Sequence, residues 1–165
     1  ARRGDRHQRL RGTRVGHVVI SLPDLRQTGE HDCGLVAVQV VLRHIKRRPK
    51  PSHFQILNCT SLDGTDPRSI EAFFRSIGCH VLAGSMEWDD LKAFTETGRA
   101  IICLTTPAHG IGHYVVVAGI DTSTIHYQCS TEGPCRSGKR TWMKSWHEVD
   151  RLGAVYHQWA ICVWR

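Results

Sequence analysis

A cysteine and a histidine stand where they can act together as a nucleophile and its base. Cys33 follows a polar loop and opens an apolar stretch, and His113 begins a second apolar stretch. A thiol nucleophile needs a lowered pKa, a base within hydrogen-bond reach, and donors for the oxyanion that forms. The first turn of a helix favours the thiolate, and the Gln27 side-chain amide with the Cys33 backbone N–H can hold the oxyanion. The sequence therefore predicts a Cys33–His113 dyad with Gln27 as the oxyanion donor.

Two elements must bring these side chains together. Residues 35–42 are rich in β-branched side chains, so propensity alone favours a strand, but the length of the stretch and its continuation to Lys46 favour a buried helix. Residues 113–120 are almost entirely apolar and predict a strand. We therefore expect the start of a buried helix to face the start of a strand.

The remaining pattern places helices first and mostly strands afterwards. Asp66 and Pro67 are typical of a helix N-cap and first position, and the apolar face that follows ends at Gly78. A further helix is predicted over residues 85–98 and a short one over 141–149. We predict strands over residues 15–22, 79–83, 100–105, 113–120, 125–129 and 155–164. This order favours an α+β fold with N-terminal helices packed on an antiparallel β-sheet.

Residues 22–34, which contain Gln27 and Cys33, and the later stretch 113–121 resemble the C39-type cysteine peptidases. These are papain-like domains best known as double-glycine leader peptidases attached to bacteriocin exporters. The resemblance covers roughly residues 20–165. It implies a papain-like fold, Cys33 as nucleophile, His113 as general base and acid, and Gln27 as oxyanion donor. It also implies a peptide substrate cleaved after paired small residues.

One position departs from that family. An Asp, followed by Pro, orients the histidine in the family, and an ungapped alignment places Cys129 at that position. If a two- or four-residue turn surrounds residues 122–123, His113 faces Glu132, and Gln128 shares that face. A three- or five-residue turn puts Cys129 on the face of His113 instead. We rank the candidate orienting groups as Gln128, then Cys129, then Glu132.

The seven cysteines do not form a recognisable disulfide or zinc pattern. Their number is odd and their spacing irregular, whereas a small secreted scaffold would use an even set. Cys129 and Cys135, with His126 nearby, can form either a small disulfide loop or a weak metal cluster, but free thiols are the favoured interpretation. We expect no metal site and no cofactor, and a reducing, cytoplasmic compartment in preference to secretion.

Length and charge exclude several classes of protein. The chain has 165 residues, 41% of them hydrophobic and 22% charged, which fits one soluble globular domain. No apolar run approaches the ~18 residues that a membrane span requires. Residues 1–14 carry six Arg and one Asp, a charge of +5, which leaves +2 of the total +7 for residues 15–165. We therefore divide the chain into a basic, flexible arm over 1–14, able to bind nucleic acid or another acidic partner, and a peptidase-like domain over 15–165.

Three functions follow from these features. The leading one is a thiol peptidase that cleaves a peptide or protein through an acyl-enzyme. The second is a catalytically weak or inactive peptidase-like module that binds within a larger assembly, which the missing Asp favours. The third is an acyl transferase that uses the same dyad and passes the acyl group to an amine.

Overall fold

A computed structural model describes residues 17–61, 64–106, 112–150 and 152–165. The basic arm predicted over residues 1–14 therefore lies outside the described residues. Within them, the helices are α1 (Cys33–His44), a 3-10 helix (Pro51–Leu57), α2 (Pro67–Ser76), α3 (Trp88–Glu96) and α4 (Lys139–Ser145). The strands are β1 (His80–Ser85), β2 (Ile101–Thr105), β3 (His113–Asp121), β4 (Thr124–Cys129), β5 (Gly133–Gly138), β6 (His147–Val149), β7 (Val155–His157) and β8 (Trp159–Trp164).

Six of the described strands form one antiparallel sheet in the order β1-β8-β2-β3-β4-β5. Strands β6 and β7 form a separate two-stranded sheet. The predicted α+β class with helices packed on an antiparallel sheet is confirmed. The strand nearest the C-terminus, β8, lies between β1 and β2 and pairs with both.

Alternation along the central strands divides the core between the two faces of the sheet. One core cluster contains buried side chains of α1 and α2 together with Ile102, Val116 and Ile161 from the sheet. The other contains Trp142 and Trp146 with sheet residues one position away, such as Ile101. Because successive strand side chains point to opposite faces, the sheet is covered by helices on both sides.

Tertiary packing decides the ambiguous stretch after Cys33 in favour of a helix. Residues 33–44 form α1, and Val38 and Val41 are fully buried within it. A β-branched run is tolerated here because burial against the sheet outweighs the weak preference of valine for strands. The cap of α2 also follows the prediction, since the Asp66 carboxylate accepts a hydrogen bond from the Arg68 N–H at 2.6 Å.

Three predicted elements were wrong in part. Residues 17–22 form no strand, because β3, the strand beside them, is already paired with β2 and β4 over most of its length. The Ile20 N–H still donates to the Ala118 carbonyl of β3 at 2.9 Å. The helix predicted over 141–149 ends at Ser145, and its last residues form β6. The strand predicted over 155–164 is broken at Gln158, whose positive φ of 49° interrupts the extended backbone.

Strand β5 and the 3-10 helix were not predicted. The sequence of β5 is rich in glycine and polar residues and lacks the β-branched side chains that indicate a strand. It forms because β4 offers an unpaired edge after a short turn.

Candidate active site

Cys33 is the first residue of α1 and is partly exposed. The N–H groups of a first helical turn have no partner within the helix and carry the positive end of the dipole, so they favour a thiolate. Asp32, the residue before it, does not cap the helix. Its carboxylate instead accepts the Gly29 N–H at 2.9 Å, which closes the loop before α1.

The residue after Cys33 fixes how closely α1 approaches the sheet. A Cβ added to Gly34 would lie 2.8 Å from the Cβ of Thr65 and 3.2 Å from the ring of Tyr114. Thr65 is in turn bonded to the sheet, because the Tyr114 hydroxyl donates to its carbonyl at 2.8 Å. Since Tyr114 follows His113 directly, this packing sets the separation between the two predicted catalytic residues.

His113 begins β3, and its ring lies beside two sulfur atoms. Its Nε2 lies 3.3 Å from the Sγ of Cys129, and the Cys33 thiol is close enough to the ring to raise the pKa of His113. Burial alone lowers the pKa of His113, but the contacts with Cys129 and Cys33 outweigh it and raise the pKa to about 9. An imidazolium between two sulfur atoms is therefore favoured at neutral pH.

Cys129 ends β4 and is buried, with 6% of its surface exposed. Besides His113, the Thr131 hydroxyl lies 3.1 Å from its Sγ, and the backbone of Thr131 and Glu132 helps to lower the pKa of the thiol. Burial alone raises the pKa of this thiol, but the bond to His113 and the bonds from the turn lower it to about 6.

A β-bulge puts Cys129 on the face of His113. The turn between β3 and β4 has two residues, 122 and 123, and the pairing starts as Asp121 with Thr124. At Ala118 the register shifts by one residue, so that Val115 pairs with Cys129. Because side chains alternate, Cys129 shares the face of Val115 and His113. The two-residue turn was among those anticipated, whereas the bulge was not.

The same bulge removes the other two candidate orienting groups from His113. Gln128 faces away, and its Nε2 donates to the Asp24 carboxylate at 2.8 Å. Glu132 lies in the turn after β4, exposed, where its carboxylate accepts from the Cys135 thiol at 3.6 Å. The placement of Gln128 or Glu132 against His113 was therefore wrong, because both depended on an unbroken register.

Gln27 lies beside the end of β4. Its backbone N–H donates to the Ser130 carbonyl at 2.9 Å, and its side-chain oxygen accepts from the Ser130 hydroxyl at 2.5 Å. Its Nε2 donates to the Gly29 carbonyl at 2.9 Å and lies 3.5 Å from the Glu30 carbonyl. The Nε2 atom carries two hydrogens, and of its two contacts only the bond to the Gly29 carbonyl is short.

Asp24 and Arg26 are contacts of the site that sequence reasoning missed. Arg26 donates to the Asp24 carboxylate at 2.6 Å and 3.1 Å and to the Thr131 carbonyl at 2.9 Å. Its guanidinium also occupies the space where any Cβ on Gly133 would stand. No local pattern signals the contact between Arg26 and Thr131, because 105 residues separate the two.

The remaining cysteines and the suggested Cys129–Cys135 loop can now be placed. All seven cysteines of the chain lie in described parts of the structure, and each is a free thiol. His126, suggested as a metal ligand with them, bonds Asp121 at 2.8 Å instead. Among the described residues no group of three or more His, Cys, Asp or Glu is arranged to hold a metal ion. None of the helices in these parts is long and apolar enough to cross a bilayer.

Comparison with protein families finds one whose model matches most of the chain. The model of the Peptidase C39 family matches residues 22–150, a range that contains Gln27, Cys33, His113 and Cys129. The chain belongs to the Peptidase C39 family. No curated protein matches it.

Solved structures similar to this C39 family member share its fold. A double glycine motif protease from an AMS/PCAT transporter, in complex with its leader peptide, is 18% identical, with a TM-score of 0.62 over 89% of this chain and 92% of that one. The peptidase domain of Streptococcus ComA, a bi-functional ABC transporter, is 19% identical, with a TM-score of 0.61 over 86% and 96%. A C39-like peptidase from Bacillus anthracis is 10% identical, with a TM-score of 0.65 over 90% and 98%. At such identities these likenesses establish the fold and leave the substrate open.

Proposed function

We propose that this chain is a thiol peptidase in which Cys33 is the nucleophile and His113 the general base and acid. The observation that carries the proposal is the proximity of the Cys33 thiol, at the start of α1, to the ring of His113, whose pKa the thiol helps to raise, in a member of a peptidase family. The exposure of the two sulfur atoms supports this assignment. Cys33 is accessible to a substrate, whereas Cys129 is buried behind the ring.

The proposed reaction uses the proton carried by the His113 ring. The Cys33 thiolate attacks the scissile carbonyl carbon, an S–C bond forms, and the carbonyl oxygen becomes an oxyanion. The imidazolium of His113 then gives its proton to the leaving amine as the C–N bond breaks. A water molecule, deprotonated by His113, attacks the resulting thioester and releases the acid and free Cys33.

Gln27 is proposed as the side-chain donor of the oxyanion hole, together with the Cys33 backbone N–H. Its side-chain oxygen is fixed by Ser130, so the amide group has one orientation. One hydrogen of Nε2 goes to the Gly29 carbonyl, and the 3.5 Å separation from the Glu30 carbonyl leaves the other weakly engaged. A preorganised donor of this kind typically contributes ~10²–10³-fold in rate.

We propose a peptide substrate cleaved after paired small residues, by analogy with the family. One structural neighbour is a double glycine motif protease that was solved with its leader peptide. The analogy concerns substrate class only, since the neighbour is 18% identical.

Peptide cleavage and thiol labelling test this proposal together. Mass spectrometry of synthetic peptides that contain Gly-Gly or Gly-Ala should show cleavage after the pair, and Cys33→Ala should abolish it. Iodoacetamide should label Cys33 faster than the partly exposed Cys135, because His113 lies beside the Cys33 thiol as a base. Cys135→Ser is the matched control, since Cys135 is also partly exposed but does not contact His113 in the structure.

Two results would redirect the assignment. Slow labelling of Cys33, with no cleavage of any peptide, would favour the binding module. Accumulation of an amine adduct when an amine acceptor is added would favour the acyl transferase. Cleavage at another sequence would overturn the specificity while leaving the mechanism in place.

A further inference from the structure

The group behind the His113 ring is a thiol and not a carboxylate. Cys129 Sγ lies 3.3 Å from His113 Nε2. The bulge at Ala118 aims this sulfur at the ring, and the burial of Cys129 keeps it from acting as a second nucleophile. The bulge and the burial of Cys129 therefore direct its sulfur at the histidine ring.

Polar groups converge on the Cys129 sulfur from the turn that follows it. The Thr131 hydroxyl lies 3.1 Å away, and the backbone of Thr131 and Glu132 is close enough to help lower the pKa of the thiol. With the His113 ring, two side-chain hydrogen bonds reach this sulfur atom. A neutral thiol is only a weak acceptor, whereas a thiolate accepts several strong bonds, so this arrangement matches the ionised form.

We propose that Cys129 is the positioning residue of the site and that it acts as a thiolate, orienting His113 through a charge-assisted hydrogen bond. This inference rests on the proposed function in one respect only, because the benefit to cleavage presumes that Cys33 and His113 are the catalytic pair. The ionisation of Cys129 is a property of the folded chain and can be measured without any substrate.

Neighbouring groups support a single thiolate at this point. The titratable and charged groups around Cys129 are His113 on β3, Tyr127 on β4, Glu132 in the turn, Cys135 on β5 and Arg26 before α1. Burial, together with the negative charge of Cys129, raises the pKa of Tyr127 to about 12 and that of Cys135 to about 11, so both stay neutral at pH 7. Arg26 and the protonated His113 are the cations among them.

The proposal fixes the direction of the pH dependence. The pKa of Cys129 is lowered to about 6 and that of His113 is raised to about 9. Below about pH 6 the Cys129 sulfur is protonated, so its charge-assisted hydrogen bond no longer orients the imidazolium. Above about pH 9 the ring loses the proton that the leaving amine needs. Activity should therefore rise through about pH 6 and fall through about pH 9.

A direct titration tests the ionisation. In Cys33→Ala, the ultraviolet absorbance of thiolate should rise by one group around pH 6, and this step should vanish in Cys33→Ala/Cys129→Ser. Adding Cys135→Ser to Cys33→Ala instead should leave the step in place, because Cys135 titrates at about 11. A step that survives Cys129→Ser, or that is absent from Cys33→Ala, overturns the proposal and leaves the peptidase assignment standing.

The pH profile of kcat/KM tests the positioning role. Cys129→Ser should lower kcat by about tenfold or more, with KM nearly unchanged, because a neutral hydroxyl holds the imidazolium less firmly. Cys129→Asp should keep substantial activity and move the acid limb below pH 6, since an ordinary carboxyl has a pKa of about 3.9. Wild-type kcat and an unmoved acid limb in Cys129→Ser would overturn the role.

Thr131 provides an exposed site for the same test, where misfolding is not a concern. Thr131→Val removes the hydroxyl that bonds Cys129, so the acid limb and the thiolate titration should both move to higher pH, whereas Thr131→Ser should change neither. If the wild type cleaves no peptide, the titrations of Cys33→Ala with and without Thr131→Val still decide the ionisation.

Discussion

At the residue scale, the catalytic geometry depends on the absence of a side chain at position 34. Gly34 follows the proposed nucleophile, and a Cβ added to it would contact Thr65 and Tyr114, both of which are buried. Because Tyr114 neighbours His113, Gly34 sets how close the Cys33 thiol comes to the ring. The glycine is needed for this close approach and not for its backbone freedom.

We expect Gly34→Ala to lower both stability and activity. Alanine in a helix gains ~0.8–1.0 kcal/mol over glycine, but overpacking a filled core typically costs ~1–3 kcal/mol. Here the clash prevails, because an added Cβ would lie 2.8 Å from Thr65 Cβ. Urea denaturation should therefore show a lower free energy of unfolding, and kcat/KM should fall by about tenfold or more.

Gly138→Ala is the control for this prediction. No atom lies within 4 Å of a Cβ added there, and its φ of −69° suits any residue. Equal losses in the two variants would show that crowding at Gly34 is not the cause.

At the element scale, the extended segment before α1 and the turn between β4 and β5 act as one unit. Arg26 joins them through the Thr131 carbonyl, Gln27 joins them through Ser130, and Gln128 reaches back to Asp24. This unit contains both the proposed oxyanion donor and the turn whose Thr131 hydroxyl contacts Cys129. One set of contacts therefore positions groups on both sides of the dyad.

We expect Arg26→Gln to impair the site more than the fold. Arg26 is exposed, and exposed ion pairs contribute little to stability, so the melting temperature should change little. Its loss frees the turn around Thr131, and kcat should fall severalfold while the acid limb of the pH profile rises, because the cation near Cys129 is gone. Assays of peptide cleavage over a range of pH measure both the fall in kcat and the shift of the acid limb.

Arg136→Gln removes the same charge from an exposed position on β5 and should leave the pH profile unchanged. If it shifts the acid limb as far as Arg26→Gln does, net charge and not the local contact is responsible.

At the scale of the whole molecule, one sheet covered on both faces carries the site and most of the core. Fully buried side chains pack on each face, among them Phe73 on one and Trp146 on the other. The Trp146 ring N–H also donates to the Trp159 carbonyl at 3.0 Å, which ties the segment after α4 to β8. The core is therefore held together by contacts between separate elements of the chain.

We expect a chain of residues 15–165 to keep its fold and any peptidase activity. Residues 1–14 carry +5 of the total charge of +7, so their removal should chiefly reduce electrostatic binding. The full chain should retard nucleic acid in a gel at low salt, with affinity falling steeply as salt rises. The shortened chain should not, although Cys33 labelling should be unchanged. Equal retardation by both chains would exclude the arm as the binding element.

Local sequence determined which groups we propose as the reacting pair, and most of the elements. Cys33 at a helix start, His113 at a strand start and the Asp66 cap are written in residue types and short spacings, because capping, dipole and alternation act over a few residues. The resemblance to C39-type peptidases, carried by residues 22–34 and 113–121, gave the family that the comparison confirms.

The tertiary structure alone decided which group stands behind the histidine. A single extra residue at Ala118 shifts the register of β3 against β4, and this exchanges Gln128 for Cys129 on the face of His113. Turn length could be weighed from the sequence, but a bulge leaves no local pattern that distinguishes Ala118 from its neighbours. The contacts of Arg26 were hidden for a related reason, since they join residues that only folding brings together.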